Sequence, residues 1–203
     1  MDYRQYWNQI YEKQEELNSL TTSYWKNFSS MGDWQFWVVA FLLVSPLILL
    51  YFTVDRKRIF ELFFFGYTVH ILWVYTDIAL EENGYFVHTY FLTPLLPNAI
   101  NVAASVLPVG FLLLYQYAIN KKKNFYFYTL LLSAGFAFGF ATIEKYMGFV
   151  DFRKGTNQFH LFLIEIAIAY IAYWFTRLIL RVSGKNGGRN RELNLNIFKQ
   201  KAR

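Results

Sequence analysis

The chain has 203 residues, of which 55% are hydrophobic and 22% aromatic. It contains no cysteine, which excludes disulfides, thiol catalysis and cysteine-ligated metals. The formal net charge is +6 at pH 7, but the basic residues follow the membrane topology derived below, so the charge does not indicate nucleic-acid binding.

Residues 1–33 predict an extracytoplasmic amphipathic helix ahead of the membrane domain. Positions 3–29 contain neither proline nor glycine, and aromatic and aliphatic residues recur there at helical spacing. The members of this stripe are Tyr3, Trp7, Ile10, Gln14, Leu17, Thr21, Tyr24 and Phe28. Such a stripe can rest on the membrane face, pack on the bundle or bind a protein. Residues 1–29 are therefore the predicted contact for a membrane or extracytoplasmic partner protein.

Five long apolar runs follow and predict an all-α fold, a five-helix transmembrane bundle embedded in the lipid bilayer. They cover residues 34–54, 59–80, 99–119, 125–143 and 161–180. Each run approaches the ~20 residues that a helix needs to cross ~30 Å of hydrocarbon. A soluble fold does not account for five consecutive helices that are apolar on every side. The aromatic, proline-containing stretch 85–97 is too short to span and predicts an outer interfacial segment.

Basic residues in the connections determine the predicted orientation. Arg56–Arg58 lies between the first and second runs, and residues 121–123 are three lysines between the third and fourth. Residues 181–203 form a tail rich in lysine and arginine. Because basic loops are retained on the cytoplasmic side, the sequence predicts a multi-pass protein of the plasma membrane. Its N-terminus is expected outside and its basic tail in the cytoplasm.

Small residues predict where the helices pack. Gly135 and Gly139 lie four residues apart in the fourth run, a spacing that lets another helix approach closely. In the fifth run, Ala169 and Thr176 follow Glu165 along one face of small residues. That face is also expected to pack closely against the bundle.

Polar residues within the apolar runs are the candidate functional residues, because each ionisable group costs at least ~2.5 kcal/mol at a helix centre. His70 and Asp77 are seven residues apart in the second run and share one helical face. The candidate polar cluster comprises His70, Asp77, Asn98, Asn101, Glu144 and Glu165. It predicts a polar cavity near the outer side. Asp77 is expected to be buried toward the bundle, facing a stripe of the third run that includes Asn101 and Ser105.

Catalytic motifs and metal-ligand spacings are not found in the sequence. The three histidines, His70, His88 and His160, do not stand in a pattern typical of zinc ligands. There is no Gly-x-Ser-x-Gly nucleophile motif and no phosphate-binding loop. We therefore expect no metal and no cofactor, and the sequence favours a non-enzymatic role.

The run TDIALEENGYF at 76–86, with PLLPN at 94–98, resembles an uncharacterised family of small multi-pass membrane proteins from Gram-positive, spore-forming bacteria. WQFW at 34–37 is similar to that family's lead into its first span. The resemblance covers most of residues 20–180. It implies an integral protein of the bacterial plasma membrane and carries over Asp77 and Glu144 as recurring acids.

A fainter similarity links Asp77, Gly84 and Tyr85 to small membrane-embedded carotenoid cyclase domains. Those domains have a proline followed by paired acids in a later span. Here the residue after Pro97 is Asn98, and the residue after Pro108 is also not an acid. The cyclase resemblance therefore implies an acid in a membrane span without the paired acids.

Three functions remain open from the sequence. The leading interpretation is a non-catalytic membrane component that acts through helix packing or partner binding. The second is binding or transport of a small cation, proton or polar solute at the outer polar cluster. The third is a lipid or isoprenoid enzyme in which a carboxylic acid donates a proton to the substrate.

Overall fold

The computed structural model describes residues 2–95 and 101–200, with side chains described as far as residue 184. The helices are α1 (Tyr3–Phe28), α2 (Trp34–Thr53), α3 (Ile59–Glu82), α4 (Val102–Asn120), α5 (Phe125–Tyr146) and α6 (Gln158–Gln200). The strands are β1 (Phe86–His88) and β2 (Val150–Phe152). A short 3-10 turn, Arg56–Arg58, leads into α3.

Five helices are long and apolar enough to cross a membrane, namely α2 to α5 and the part of α6 that ends at Gly184. The predicted five-span, all-α fold is therefore confirmed. Most helix ends lie within a few residues of the ends of the apolar runs, and the largest difference is in the fifth span. Its helix, α6, begins at Gln158 rather than 161, and the backbone continues as helix to Gln200 through most of the basic tail.

The N-terminal helix α1 forms where the sequence predicts it, but none of its residues is buried. Tyr3, at its start, is 72% exposed. Contact with the rest of the chain is made by its last turns, where the Trp25 Nε1–H donates to the Phe91 carbonyl at 3.1 Å. Tyr24 also stacks on the Phe91 ring, with centroids 6.1 Å apart. Because most of the stripe lies against no other described residue, its amphipathic role stays a prediction.

Stacked aromatic rings fill the half of the bundle toward the basic tail. Phe65 of α3 and Tyr115 of α4 stack with centroids 4.4 Å apart, and neither is exposed to solvent. Phe125 of α5 stacks in the same way on Tyr173 of α6, at 4.6 Å. The Tyr115 hydroxyl donates to Glu61 Oε1 at 2.8 Å, which satisfies its polar atom inside this core. This packing joins four of the five spans.

The close helix contacts use glycines other than those predicted. A Cβ atom at Gly66 would lie 2.6 Å from Leu112 Cδ1, so the absence of a side chain lets α3 and α4 approach. At Gly135 and Gly139 no described residue lies within 4 Å of such an atom, so the predicted close approach is not found between the described helices of the bundle. The two glycines lie on the exposed face of α5, whereas Ala137 lies on the buried face.

Two short strands close the bundle where α2 begins, and we call this the strand end. β1 pairs antiparallel with β2, placing His88 opposite Val150. Gly84 and Gly148 turn the chain into the two strands with φ of 63° and 77°, a conformation that glycine adopts easily. The sequence predicted an interfacial segment at 85–97 but no strand. Three-residue strands are too short to produce a detectable alternation of apolar and polar residues.

Cysteine accessibility tests the predicted orientation. Arg153 lies at the strand end and Lys123 in the loop at the opposite end, and both are exposed. Because the chain has no cysteine of its own, Arg153→Cys and Lys123→Cys each carry a single thiol. We expect a membrane-impermeant maleimide to label Arg153→Cys in intact cells and Lys123→Cys only after permeabilisation. The reverse labelling pattern would show that the strand end faces the cytoplasm.

Candidate functional site

A small internal cavity lies beneath the strand end, between α3, α4, α5 and α6. The volume open to the centre of a water-sized sphere is about 40 Å³. On this measure one water needs ~10–15 Å³, so the cavity has room for more than one. Its polar lining residues are Asp77, His88, Glu144 and Glu165, and the rest of its wall is apolar. No lysine or arginine is among the described residues that line it.

Three of the predicted candidates meet at this cavity from three helices. Asp77 comes from α3 and is 3% exposed, which confirms the prediction that it is buried toward the bundle. Glu144 comes from the last turn of α5, below Ser133 and Ala137 on the buried face. Glu165 comes from α6, where the small-residue face packs into the core as predicted. The cavity therefore gathers acids that are distant in the sequence.

The other candidates lie elsewhere. His70 Nδ1 is 3.1 Å from the Ala103 carbonyl, so this side chain connects α3 to the start of α4. Asn101 is buried, but the described lining of the cavity on α4 begins at Val102. Asn98 lies outside the described residues. His70 and Asn101 are thus not part of the cavity.

The expected contact between Asp77 and the Ser105 stripe is wrong. The Ser105 hydroxyl donates instead to the Leu43 carbonyl of α2, at 2.6 Å. Val102–Val106 forms a π-helical turn at the start of α4. A wider turn rotates the following side chains relative to a regular α-helix, so Ser105 faces α2 rather than Asp77.

Glu81 and His88 belong to the site, although the candidate polar cluster predicted from the sequence contains neither. Oε1 of Glu81 lies 2.6 Å from the ring Nδ1 of His88 and accepts the His88 backbone N–H at 3.2 Å. Asp77 and Glu81 are four residues apart on α3 and so share a face. One ligand atom from each of Asp77, Glu81 and His88 lies within 4.8 Å of the others. The sequence feature that could have indicated this site is a pair of acids one helical turn apart, Asp77 and Glu81, followed by His88.

His88 lies outside the membrane-spanning helices, and the acids around it control its charge. Burial alone lowers the pKa of the His88 imidazole. The hydrogen bond to Glu81 and the charges of Asp77, Glu81 and Glu144 act in the opposite direction and raise the pKa above its ordinary value. Three carboxyl groups from two helices therefore stabilise a positive charge at this position.

Two buried polar atoms of the cavity wall have no hydrogen-bond partner among the described residues. They are Trp73 Nε1 and Glu165 Oε2, and each residue is 3% exposed. The hydroxyl of Ser133, which also has no hydrogen-bond partner among the described residues, lies near the Glu165 carboxyl group. A buried polar atom left without a partner costs about 1–3 kcal/mol. Both residues line the cavity, so a polar occupant of the cavity is a candidate partner for these atoms.

A wider groove lies outside the cavity, between α1 and the strand end. Its volume on the same measure is about 560 Å³. Leu17, Leu20, Tyr24 and Phe91 supply apolar wall, and Glu81 and Glu82 supply acids. His88 lines both the groove and the cavity, whereas Asp77 lines only the cavity. The His88 side chain therefore separates the two spaces.

Comparison of the chain with protein-family models, curated proteins and solved structures finds no match. The family resemblance and the recurring acids that it implies therefore stay expectations. The function has to be argued from the chemistry of the site, because a helical bundle of this kind does not by itself specify an activity.

Ser29 holds the groove together, and its substitution gives a local test. Its buried hydroxyl donates to the Phe91 carbonyl and accepts the Phe91 N–H, both at 2.9 Å. In Ser29→Ala the Phe91 N–H loses its partner, which should cost about 1–3 kcal/mol of unfolding free energy. We expect faster hydrogen exchange of the Phe91 amide and a lower melting temperature in detergent. Ser23→Ala, at an exposed position of the same helix, is the control; equal exchange in both variants would contradict this role.

Proposed function

We propose that the protein binds a small cation at the strand end of the bundle, at the site formed by Asp77, Glu81 and His88, with Glu144 facing the same space. The observation that carries the proposal is the imbalance of charge. Carboxyl groups of Asp77, Glu81 and Glu144 lie near one imidazole, and Glu165 lines the same cavity. No lysine or arginine is among the described residues that line the cavity or the groove.

Burial makes this imbalance costly without a counter-charge. An uncompensated charge removed from water costs several kcal/mol even after relaxation. Asp77 and Glu165 are each 3% exposed, so water screens their carboxyl groups poorly. Even with His88 protonated, the carboxyl groups outnumber the described positive charges, so the remaining groups are neutralised either by protons or by a bound cation. A bound cation supplies the missing charge, whereas a neutral polar solute does not.

The packing beneath the cavity supports binding rather than transport. Leu107 lines the cavity, and one turn further along α4 Phe111 is fully buried. Phe65 and Tyr115 are stacked below it and are also fully buried. A cation crossing the membrane would have to pass this closely packed aromatic core. The described buried polar side chains there are a few hydroxyl groups, such as those of Thr129 and Tyr115, and no described carboxyl group faces the cavity from below. The site is therefore proposed as a terminal binding site that is reached from the strand end.

The two other functions receive different support. The aromatic residues of α1, including Tyr3 and Trp7, are exposed and remain available to a membrane or extracytoplasmic protein partner. That partner-binding role stays a prediction and is compatible with cation binding. A lipid or isoprenoid enzyme is not favoured, because an internal volume of about 40 Å³ does not admit such a substrate beside Asp77.

Ligand-dependent stability tests the proposal. The purified chain, stripped of metal in detergent, would be titrated with Na⁺, K⁺, Mg²⁺, Ca²⁺, Mn²⁺ and Zn²⁺ at constant ionic strength. At least one cation should raise the melting temperature, since a ligand at 100 times its Kd stabilises the folded state by about 2.7 kcal/mol. The stabilisation should be lost in Asp77→Asn and retained in Glu82→Gln, an exposed acid next to the site. A wild-type protein that responds to none of these cations would contradict the proposal.

A further inference from the structure

We infer that the cation is a divalent transition-metal ion of the zinc type, ligated by Asp77, Glu81 and His88, with a metal-bound water in the cavity beside Glu144. This inference rests on the proposed cation-binding function and specifies its ligand. It departs from the expectation of no metal, which was based on sequence spacing alone.

The three side chains have the geometry of a site that a metal can close. Asp77 and Glu81 come from successive turns of one helix, and His88 comes from β1, which pairing with β2 holds in place. Their ligand atoms lie within 4.8 Å of one another. In a tetrahedral site with bonds of ~2.1 Å the ligand atoms are about 3.4 Å apart. Glu81 Oε1 and His88 Nδ1, which are 2.6 Å apart, would separate to admit the ion, and the Asp77 carboxylate would complete the set from within 4.8 Å.

The ligand types select among metals. Mg²⁺ and Ca²⁺ prefer shells made of oxygen ligands alone, whereas an imidazole nitrogen favours zinc and its neighbours in the first transition row. The charge of the ligands also favours a divalent ion. Two carboxylates and a neutral imidazole balance a divalent ion, and the resulting neutral group is less costly to bury than a monovalent ion with one charge left over.

The atoms without partners in the cavity wall are an independent sign of an occupant. Trp73 Nε1 and Glu165 Oε2 are buried without a described partner, and both residues line the cavity together with Asp77 and His88. Zinc sites with three protein ligands keep a fourth position for water. A water bound there would occupy the cavity, in reach of Glu144, and a second water could satisfy Trp73 and Glu165. The small volume fits water and excludes a larger ligand.

The groove supplies a route to the site. Glu81 and Glu82 are acids on its wall, and His88 lies between the groove and the cavity. An ion arriving from the groove meets the Glu81–His88 hydrogen bond first and replaces it with two metal–ligand bonds. Asp77, on the cavity side, then completes the ligand set. The ion reaches the ligands from the strand end without crossing the aromatic core.

Calorimetric titration of the full-length, EDTA-treated protein in detergent tests this ligand set, using ZnCl₂, MgCl₂ and CaCl₂ as probes. We expect one Zn²⁺ per chain, and Mg²⁺ and Ca²⁺ binding at least about 100-fold weaker. His88→Gln should weaken Zn²⁺ binding by more than about 10–100-fold, the loss that substitutions outside the ligand shell already cause. The control is His160→Gln, because His160 is exposed and bonded to Asn157; its affinity should equal that of the wild type.

Cobalt spectroscopy on the same samples distinguishes the ligand set from a surface metal. Co²⁺ in the site should give visible absorption bands of a four- or five-coordinate ion, and Glu81→Gln should alter them even if His88→Gln fails to fold. Binding of Zn²⁺ that is unchanged by both substitutions would overturn the inference. Binding of Mg²⁺, Ca²⁺ or a monovalent ion that depends on Asp77, with no Zn²⁺ binding, would overturn it and leave the proposed function standing. A protein that binds no cation would overturn both.

Discussion

The hydrogen bond between Glu81 and His88, 2.6 Å long, is the interaction on which the strand end depends. It joins the last turn of α3 to β1, and β1 in turn pairs with β2 between α5 and α6. A carboxylate and an imidazole thus hold in place a strand that is too short to be stable by its own pairing. The segment after β1 then meets α1 through Ser29 and Phe91. The Glu81–His88 pair thus joins the bundle to the strands, and Phe91 joins the following segment to the N-terminal helix.

The same pair determines what the site can bind. With His88 placed between groove and cavity, acids from three helices face a space that no described lysine or arginine enters. The helices are packed together mainly by the aromatic core around Phe65 and Tyr115, in the other half of the bundle. The strand end can therefore contain buried acids. Buried ionisable groups in membrane helices are costly and commonly serve function. Here the acids lie at the strand end, where a bound divalent ion would offset the free-energy cost of burying them.

The sequence predicts much of the fold because each helix is encoded locally. Runs of about 20 apolar residues identify all five spans, and the cost of a buried charge identifies Asp77, Glu144 and Glu165. The misses come from features that local periodicity does not carry. His88 joins the site through pairing with Val150, far along the chain. Ser105 turns toward α2 because a π-helical turn begins α4. Gly135 and Gly139 show that a packing motif does not reveal which face is covered.

An anomalous difference map at the zinc absorption edge tests the central claim most directly, because it locates the ion without relying on a variant that must fold. Crystals of the wild-type protein grown with Zn²⁺ should show one peak about 2.0–2.2 Å from ligand atoms of Asp77, Glu81 and His88. The Glu81–His88 hydrogen bond should be replaced by bonds to the metal. A map with no peak at these residues, and with that hydrogen bond intact in the presence of excess Zn²⁺, would contradict the account.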